Sequence, residues 1–426
     1  MDKIVIKGGF PINGEVYISG SKNSVLPLMC CSLLTDEKLT IGNIPNLVDI
    51  KTMNNLLCNH GCKLTVDSIG SNFFSGKKII FDASDITNLT APYDIVVKMR
   101  ASVLVLGPLL ARFGFAKVSL PGGCAIGTRP VDLHIDALEK LGADIKIVSG
   151  YIIATAKDGL VGGNIHFKKI SVGATENIIM AATLAQGKTV ITNAAVEPEI
   201  IDLCKCLVKM GAKISGIGNS TIEIEGVTKL HSAVYEVMPD RIEAFTYIIA
   251  AAITHGKILL KNFSLDLIQN VKHVLDEIGI TLEKKEDGIL AYLSSKTINP
   301  INVETREFPG FSTDMQAQLM TLLSLGNGTS EITENIFENR FMHVAELKRM
   351  GANIEIDHNK AIIKGVEKFN SAVVMATDLR ASVSLVLAAL ATDGVTEINR
   401  VYHMDRGYEF LVEKLSFCGA NIKRVI

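Results

Sequence analysis

The chain has 426 residues, of which 48% are apolar and 21% charged, and its formal net charge is −2. That length accommodates more than one domain with its own core. The near-neutral balance excludes a global pull toward nucleic acid or an anionic membrane, so any anionic ligand must be gripped by a local cluster of Lys and Arg.

Taken from the N-terminus, the opening MDKIVIKGGFPINGEV lacks the basic-then-apolar pattern of a secretory leader. Runs such as SVLVLGPLLA and IIMAATLA are too short to span a bilayer. A cytoplasmic protein with reduced thiols is expected, since eight cysteines fall far below the density of a disulfide scaffold. Cys30, Cys31, Cys204, Cys206 and Cys418 lie in apolar helical contexts and read as small core residues. CNHGC, Cys58 to Cys62 around His60, has the outline of a metal clip. No second Cys/His pair at metal-binding spacing accompanies it, so a packed, inert cluster is expected.

A helix ending in glycine, followed by a short β-like segment, recurs six times: LLCNHGCKLTV, LEKLGADIKIV, LVKMGAKISGI, LDEIGITLEKK, LKRMGANIEID and LSFCGANIKRV. The glycines are Gly61, Gly142, Gly211, Gly279, Gly351 and Gly419, separated by 81, 69, 68, 72 and 68 residues, and each suits the left-handed position after a helix. A second element keeps the same beat: SVLPLMCCSLL, ASVLVLGPLLARFG, ATENIIMAATLAQG, DRIEAFTYIIAAAITHG, TDMQAQLMTLLSLGNG and TDLRASVSLVLAALATDG. These read as helices apolar nearly all round, hence buried, and each is followed by an extended stretch such as LTIGNI or KILLKNF. The repeating unit is therefore strand, buried helix, strand, amphipathic helix, strand, strand. Units of this size are too long for a solenoid. Two α/β domains of three units each fit the count, with residues 1–21 joining 239–426 and residues 22–238 forming the other.

The motifs SGSKNSVLPL, LPGGCAIGTRPVDLH, SVGATENI, GFSTDMQAQ, ENRFMHVAEL, TDLRAS and DRGYE, in this order over nearly the whole chain, resemble the UDP-N-acetylglucosamine 1-carboxyvinyltransferase family of enolpyruvyl transferases. The resemblance implies two inside-out α/β barrels with the active site in the interdomain cleft. It implies transfer of the enolpyruvyl group of phosphoenolpyruvate to the 3′-hydroxyl of UDP-N-acetylglucosamine, with loss of phosphate, as the first committed step of peptidoglycan synthesis. No metal or cofactor is implied, and no nucleic-acid or membrane partner. Such chemistry needs an acid near C3 of the enol, a base near the hydroxyl, and cations on the phosphate and carboxylate.

Carried over residue by residue, Cys124 matches the family's cysteine, which protonates C3 and can add to C2. Gly122 and Gly123 before it permit backbone geometries closed to other residues. Inactivation by fosfomycin follows from the same match. Asp314 matches the aspartate that faces the sugar hydroxyl. From the residues alone, a helix cap by Thr313 or Asp314 is the favoured reading, and a helix-start position would lower the basicity of Asp314. Lys22 and Asn23 match phosphoenolpyruvate contacts, and Arg129, Arg340, Arg380 and Arg406 match cleft arginines whose forks suit oxyanions. Arg100 is implied to touch the nucleotide-sugar. So are Arg129, Pro130, Val131, Asp132 and Leu133, then Lys169, Ser171, Val172 and Gly173, with Asp314 and Ile336 opposite. The start of the SVGATEN helix offers backbone N–H groups to a diphosphate, or is an ordinary Ser-capped helix. Asn177 receives no role.

Because these residues come from both proposed halves, domain closure on the nucleotide-sugar is expected. The shikimate-pathway enolpyruvyl transferases lack the Cys-bearing loop. A non-catalytic UDP-sugar-binding paralogue would be expected to have lost Cys124, Asp314 or an arginine. A nucleic-acid-binding reading finds no basic-aromatic stripe.

Overall fold

The computed structural model describes residues 2–67, 76–121 and 131–425. They fall into two compact units, one built from residues 2–19 with 239–425 and the other from 20–121 with 131–238. Each unit has its own apolar core.

One stretch shows how the repeat folds. Strand Asn164–His166 leads to helix Val172–Ala182, strand Lys188–Thr192, helix Pro198–Lys209, then strands Lys213–Ser215 and Thr221–Glu225. The first two strands pair in parallel, the second lies antiparallel to the last, and the third closes the far edge. Six four-stranded sheets follow this order among the described residues. Their central strands alternate, as in Lys188–Thr192 with Thr189 and Ile191 buried, and the outward face carries cross-strand ion pairs such as Lys188 with Glu223 at 2.9 Å. The apolar helix of each repeat is largely buried, and every residue of Arg241–Ile253 and of Ser382–Leu390 is buried. Sheets outside and helices inside each unit follow.

Strand pairing explains why residues 2–19 belong with the C-terminal half. Lys3–Lys7 is hydrogen-bonded between Val395–Asn399 and Asn421–Val425, and Asn13–Tyr17 pairs in parallel with Lys257–Lys261. In the other unit Ala233–Glu236, the last strand, pairs in parallel with Lys38–Ile44, the first.

All six repeat glycines have positive φ, from 91° at Gly351 to 109° at Gly61, the conformation that ends the amphipathic helix and that a Cβ disfavours. Asparagine supplies a second left-handed residue. Asn43, Asn193 and Asn262 have φ of 54°, 54° and 57°. Their side-chain amides donate to Val237 O at 2.9 Å, Phe167 O at 2.8 Å and Ile18 O at 3.3 Å, just past the parallel edge strand.

Two expected helices differ in detail. ASVLVLGPLLARFG begins as a 3₁₀ turn, Arg100–Val105, and becomes α-helical at Leu106–Phe113. Pro108 falls in the first α-helical turn, where its missing N–H is not needed. TDMQAQ likewise opens with a 3₁₀ turn, Thr313–Met315, before helix Gln316–Leu323. The five cysteines read as core are buried, as is Cys62, whereas Cys58 is exposed. His60 is buried with Nδ1 2.7 Å from Asn88 O. No helix among the described residues is long and apolar enough to cross a membrane.

Candidate active site

Cys124, Arg129 and Pro130 lie outside the described residues. The remaining candidates form two sets, one in each unit.

In the unit of residues 20–238, Lys22 opens helix Lys22–Cys30, which Ser21 caps by accepting from the Ser24 N–H. Lys22 Nζ lies 2.9 Å from Asp49 Oδ2, and both side chains are buried. The carboxylate offsets the cost of holding an ammonium away from water. Asn23 is half-buried beside it. Val131 is buried just before helix Asp132–Lys140, on which Asp132 is exposed and Leu133 half-buried. Lys169 is exposed. Ser171 does cap helix Val172–Ala182, its Oγ accepting from the Ala174 N–H at 3.3 Å. That cap leaves the Val172 and Gly173 N–H groups at the helix start, where an anion is favoured. Arg100 is half-buried and acts electrostatically on His134. Burial first, and then the Arg100 charge, holds the His134 imidazole down to about 3, so this ring is neutral.

In the unit of residues 239–425, Asp314 sits in the 3₁₀ turn ahead of helix Gln316–Leu323 and does not cap it. Its Oδ1 accepts from Arg340 Nη2 at 2.6 Å, with Arg340 5% and Asp314 23% exposed. The cap alternative is thereby corrected for Asp314 and also for Thr313, whose hydroxyl donates to Glu334 Oε2 at 2.8 Å. Glu334 organises the neighbourhood. Its other oxygen accepts from Thr305 Oγ1 at 2.8 Å and from the N–H groups of Ile336 at 2.9 Å and Phe337 at 3.2 Å. The turn carrying Asp314 and the loop carrying Ile336 are therefore tied to one carboxylate.

Arg380 is buried, 3.4 Å from Asp240 Oδ2, and donates to Gly407 O at 3.3 Å. Burial opposes its charge, but Asp240, Tyr408 and Asp314 more than compensate and hold the guanidinium protonated. Its guanidinium carbon lies 5.5 Å from the centre of the Tyr408 ring. Arg406, half-buried, ends the 3₁₀ turn Val401–Arg406. Burial, and then the Arg406 charge, lowers the pKa of nearby His403.

Asp49, Asp240, Glu334, His134 and Asn177 were not identified from sequence as parts of these sets. Each is an ordinary residue type in an ordinary local pattern, and its partner is distant in sequence. His134, immediately after the Val131-Asp132-Leu133 stretch, carried the one available signal.

The comparisons with known proteins agree on the class. Residues 6–415 match the family model described as EPSP synthase (3-phosphoshikimate 1-carboxyvinyltransferase). The chain belongs to this enolpyruvyl (carboxyvinyl) transferase family. Within it, the chain is 56% identical over its full length to a UDP-N-acetylglucosamine 1-carboxyvinyltransferase of Paramagnetospirillum magneticum, covering 99% of that relative. It is 53% identical to the enzyme of the same name from Xanthobacter autotrophicus, with both chains covered completely. Among solved structures, the enolpyruvyl transferase NikO of Streptomyces tendae superposes with a TM-score of 0.88 at 24% identity, covering all of this chain and 99% of that one. An EPSP synthase from Acinetobacter baumannii gives 0.76 at 18% identity with both chains fully covered. These two likenesses establish the fold.

Proposed function

We propose that the protein transfers the enolpyruvyl group of phosphoenolpyruvate to the 3′-hydroxyl of UDP-N-acetylglucosamine and releases phosphate. It would thereby commit the nucleotide-sugar to peptidoglycan synthesis in the cytoplasm. The observation that carries this reading is full-length identity above one half to relatives bearing that enzyme name, whereas the solved EPSP synthase shares 18%.

The reaction is an addition followed by an elimination. The sugar oxygen bonds to C2 of the enol, its proton passes to Asp314, and C3 takes a proton from the Cys124 thiol. C3 then gives a proton to the Cys124 thiolate, the freed C–H electron pair re-forms the C2=C3 bond, the C2–O bond to phosphate breaks, and phosphate leaves with that bond's electron pair. Lys22, Arg129, Arg340, Arg380 and Arg406 are assigned to the anionic groups of phosphoenolpyruvate with Asn23, and charge-assisted hydrogen bonds of this kind are the strong ones. Arg100, Pro130, Val131, Asp132, Leu133, Lys169, Ser171, Val172, Gly173 and Ile336 are assigned to the nucleotide-sugar. The direct pairing of Asp314 with Arg340 supports these roles, because it aims the carboxylate at a cationic group instead of at its own helix.

Phosphate release from phosphoenolpyruvate, measured with and without UDP-N-acetylglucosamine in wild type and in Cys124→Ser, tests the reading. Release is expected only with the sugar and only in wild type, and replacing the sugar by 3-phosphoshikimate is expected to abolish it. Release without the sugar, or with 3-phosphoshikimate alone, overturns the proposal.

A further inference from the structure

Asn177 lies one and a half turns into helix Val172–Ala182 and is fully buried. Its Oδ1 accepts from the Gly107 N–H at 2.7 Å, and its Nδ2 donates to Val103 O at 3.1 Å. A backbone N–H only donates and a backbone carbonyl only accepts, so these two contacts fix which end of the amide is oxygen and which is nitrogen. The fit leaves no slack: a methyl group on Gly107 would come within 2.3 Å of Asn177 Oδ1. The second Nδ2 hydrogen faces His134 Nδ1 at 3.0 Å. Because an amide nitrogen has no lone pair to offer, His134 Nδ1 must accept.

A neutral imidazole that accepts at Nδ1 carries its proton on Nε2. His134 is 4% exposed, and no described residue accepts from its Nε2. The ring edge bearing that atom faces the start of helix Val172–Ala182. A methyl group on Gly173 would lie 3.5 Å from His134 Cε1 and 3.6 Å from Nε2. An N–H that no described residue shares, on a ring only 4% exposed, is thus set beside the helix-start N–H groups of Val172 and Gly173, for which no described residue accepts either.

We propose that Asn177 is a positioning residue that fixes His134 as the Nε2–H tautomer, so that this ring donates to a diphosphate oxygen of the nucleotide-sugar. Phosphate oxygens only accept hydrogen bonds. The opposite tautomer would turn a lone pair toward the anion and replace attraction with repulsion. The amide therefore decides whether the imidazole helps or hinders binding, without touching the ligand. This inference rests on the proposed use of UDP-N-acetylglucosamine as substrate.

The test uses the full-length protein. Nitrogen NMR of labelled histidine reads the His134 tautomer, and calorimetry with UDP-N-acetylglucosamine and with UDP reads affinity. Wild type is expected to bind the nucleotide-sugar and to carry the His134 proton on Nε2. Asn177→Asp, which presents an acceptor to Nδ1, is expected to move the proton to Nδ1. It should weaken both ligands roughly ten- to hundredfold, the range for losing a hydrogen bond to a charged group. At saturating sugar, kcat should change little. His134→Leu is expected to weaken binding comparably, and His134→Gln, with an amide N–H in place of Nε2–H, to recover most of the loss. Should Asn177→Asp fail to fold, the wild-type tautomer and the two His134 variants decide the matter. A proton on Nδ1 in wild type, a moved proton with unchanged affinity, or full affinity in His134→Leu overturns the inference. Failure of wild type to bind UDP-N-acetylglucosamine at all instead sinks the proposed function.

Discussion

The two units hold their functional groups in different ways. In the unit of residues 20–238, a large part of the candidate set is neutral and fixed by local structure. The Val172 and Gly173 N–H groups are aimed by a helix that Ser171 caps, and an uncharged His134 is held by Asn177. In the unit of residues 239–425, the set is charged and internally balanced, Arg340 against Asp314 and Arg380 against Asp240. Lys22 with Asp49 is a pair of the same kind in the first set. Neutral donors need no counter-ion and can be left waiting for a ligand. Buried cations cannot, because an isolated charge away from water is too costly. Under the proposed assignments these cations are kept paired until substrate arrives, and its phosphate would compete with the resident carboxylates. For Arg340 the competitor is the proposed base itself, so phosphate capture and release of the Asp314 carboxylate would be coupled.

The largest effect that can break this contrast is expected at Asp314. Asp314→Asn can neither take a proton nor form an ion pair with Arg340. Turnover should fall about 10²- to 10⁴-fold, the usual contribution of a positioned base, while UDP-N-acetylglucosamine affinity measured by calorimetry changes far less. A loss in kcat below tenfold would remove Asp314 from the proton-transfer role.

Next in size is Asp240→Asn. Asparagine caps a helix as well as aspartate does, so the Asp240 contacts to the Ile242 and Glu243 N–H groups are retained while the charge is lost. Arg380, 3% exposed by side chain, is left as a buried cation without its partner. Urea unfolding should show a loss of about 3–5 kcal/mol. Indifference to the change would mean that Arg380 is neutralised elsewhere and that the paired-charge description of this unit is wrong.

Acid titration probes one buried histidine in each unit. Burial depresses His134 to about 3 and His343, in the other unit, to about 4, against about 6.5 in an unfolded chain. The unfolded state then binds more protons than the folded one, so stability is full above pH 6.5 and declines as pH falls toward those values. Each group contributes a slope of up to about 1.4 kcal/mol per pH unit. Denaturation midpoints at pH 7 and pH 5 check this, and His134→Gln should flatten the dependence. An unchanged slope in that variant would show that His134 titrates normally.

The fold was legible because it is written in periodic features. Helix-ending glycines such as Gly61 and Gly211 and all-apolar helices such as Arg241–Ile253 recur at nearly constant spacing, and each has a local physical cause. Lys22, Arg340 and Arg380 are singled out by motifs with a family precedent. Their counter-ions are not. Nothing near Asp49 or Asp240 marks it as the partner of Lys22 or of Arg380, 140 positions away, since such pairs form only when remote strands and helices close a sheet-and-helix layer. Asn177 escaped for a different reason. An amide in an apolar helix looks like a tolerated polar residue until its three partners, Gly107, Val103 and His134, are in place around it. The 3₁₀ openings at Arg100 and Thr313 were missed because boundaries depend on single hydrogen bonds that periodicity does not resolve.

The smallest effects concern the two cores. Gly142 and Gly419 end equivalent helices, one in each unit, with φ of 92° and 94°. A methyl group at Gly142 meets nothing within 4 Å, and one at Gly419 meets only Pro11 O at 3.9 Å. Gly142→Ala and Gly419→Ala therefore impose the same left-handed strain, about 1–2 kcal/mol, without a clash to confuse the result. Each unit buries its own apolar cluster, so each substitution is expected to lower the thermal transition of its own unit and leave the other in place by scanning calorimetry. If both substitutions displace a single shared transition by the same amount, the two cores unfold as one cooperative body. The contrast drawn between the units would then be one of chemistry and not of stability.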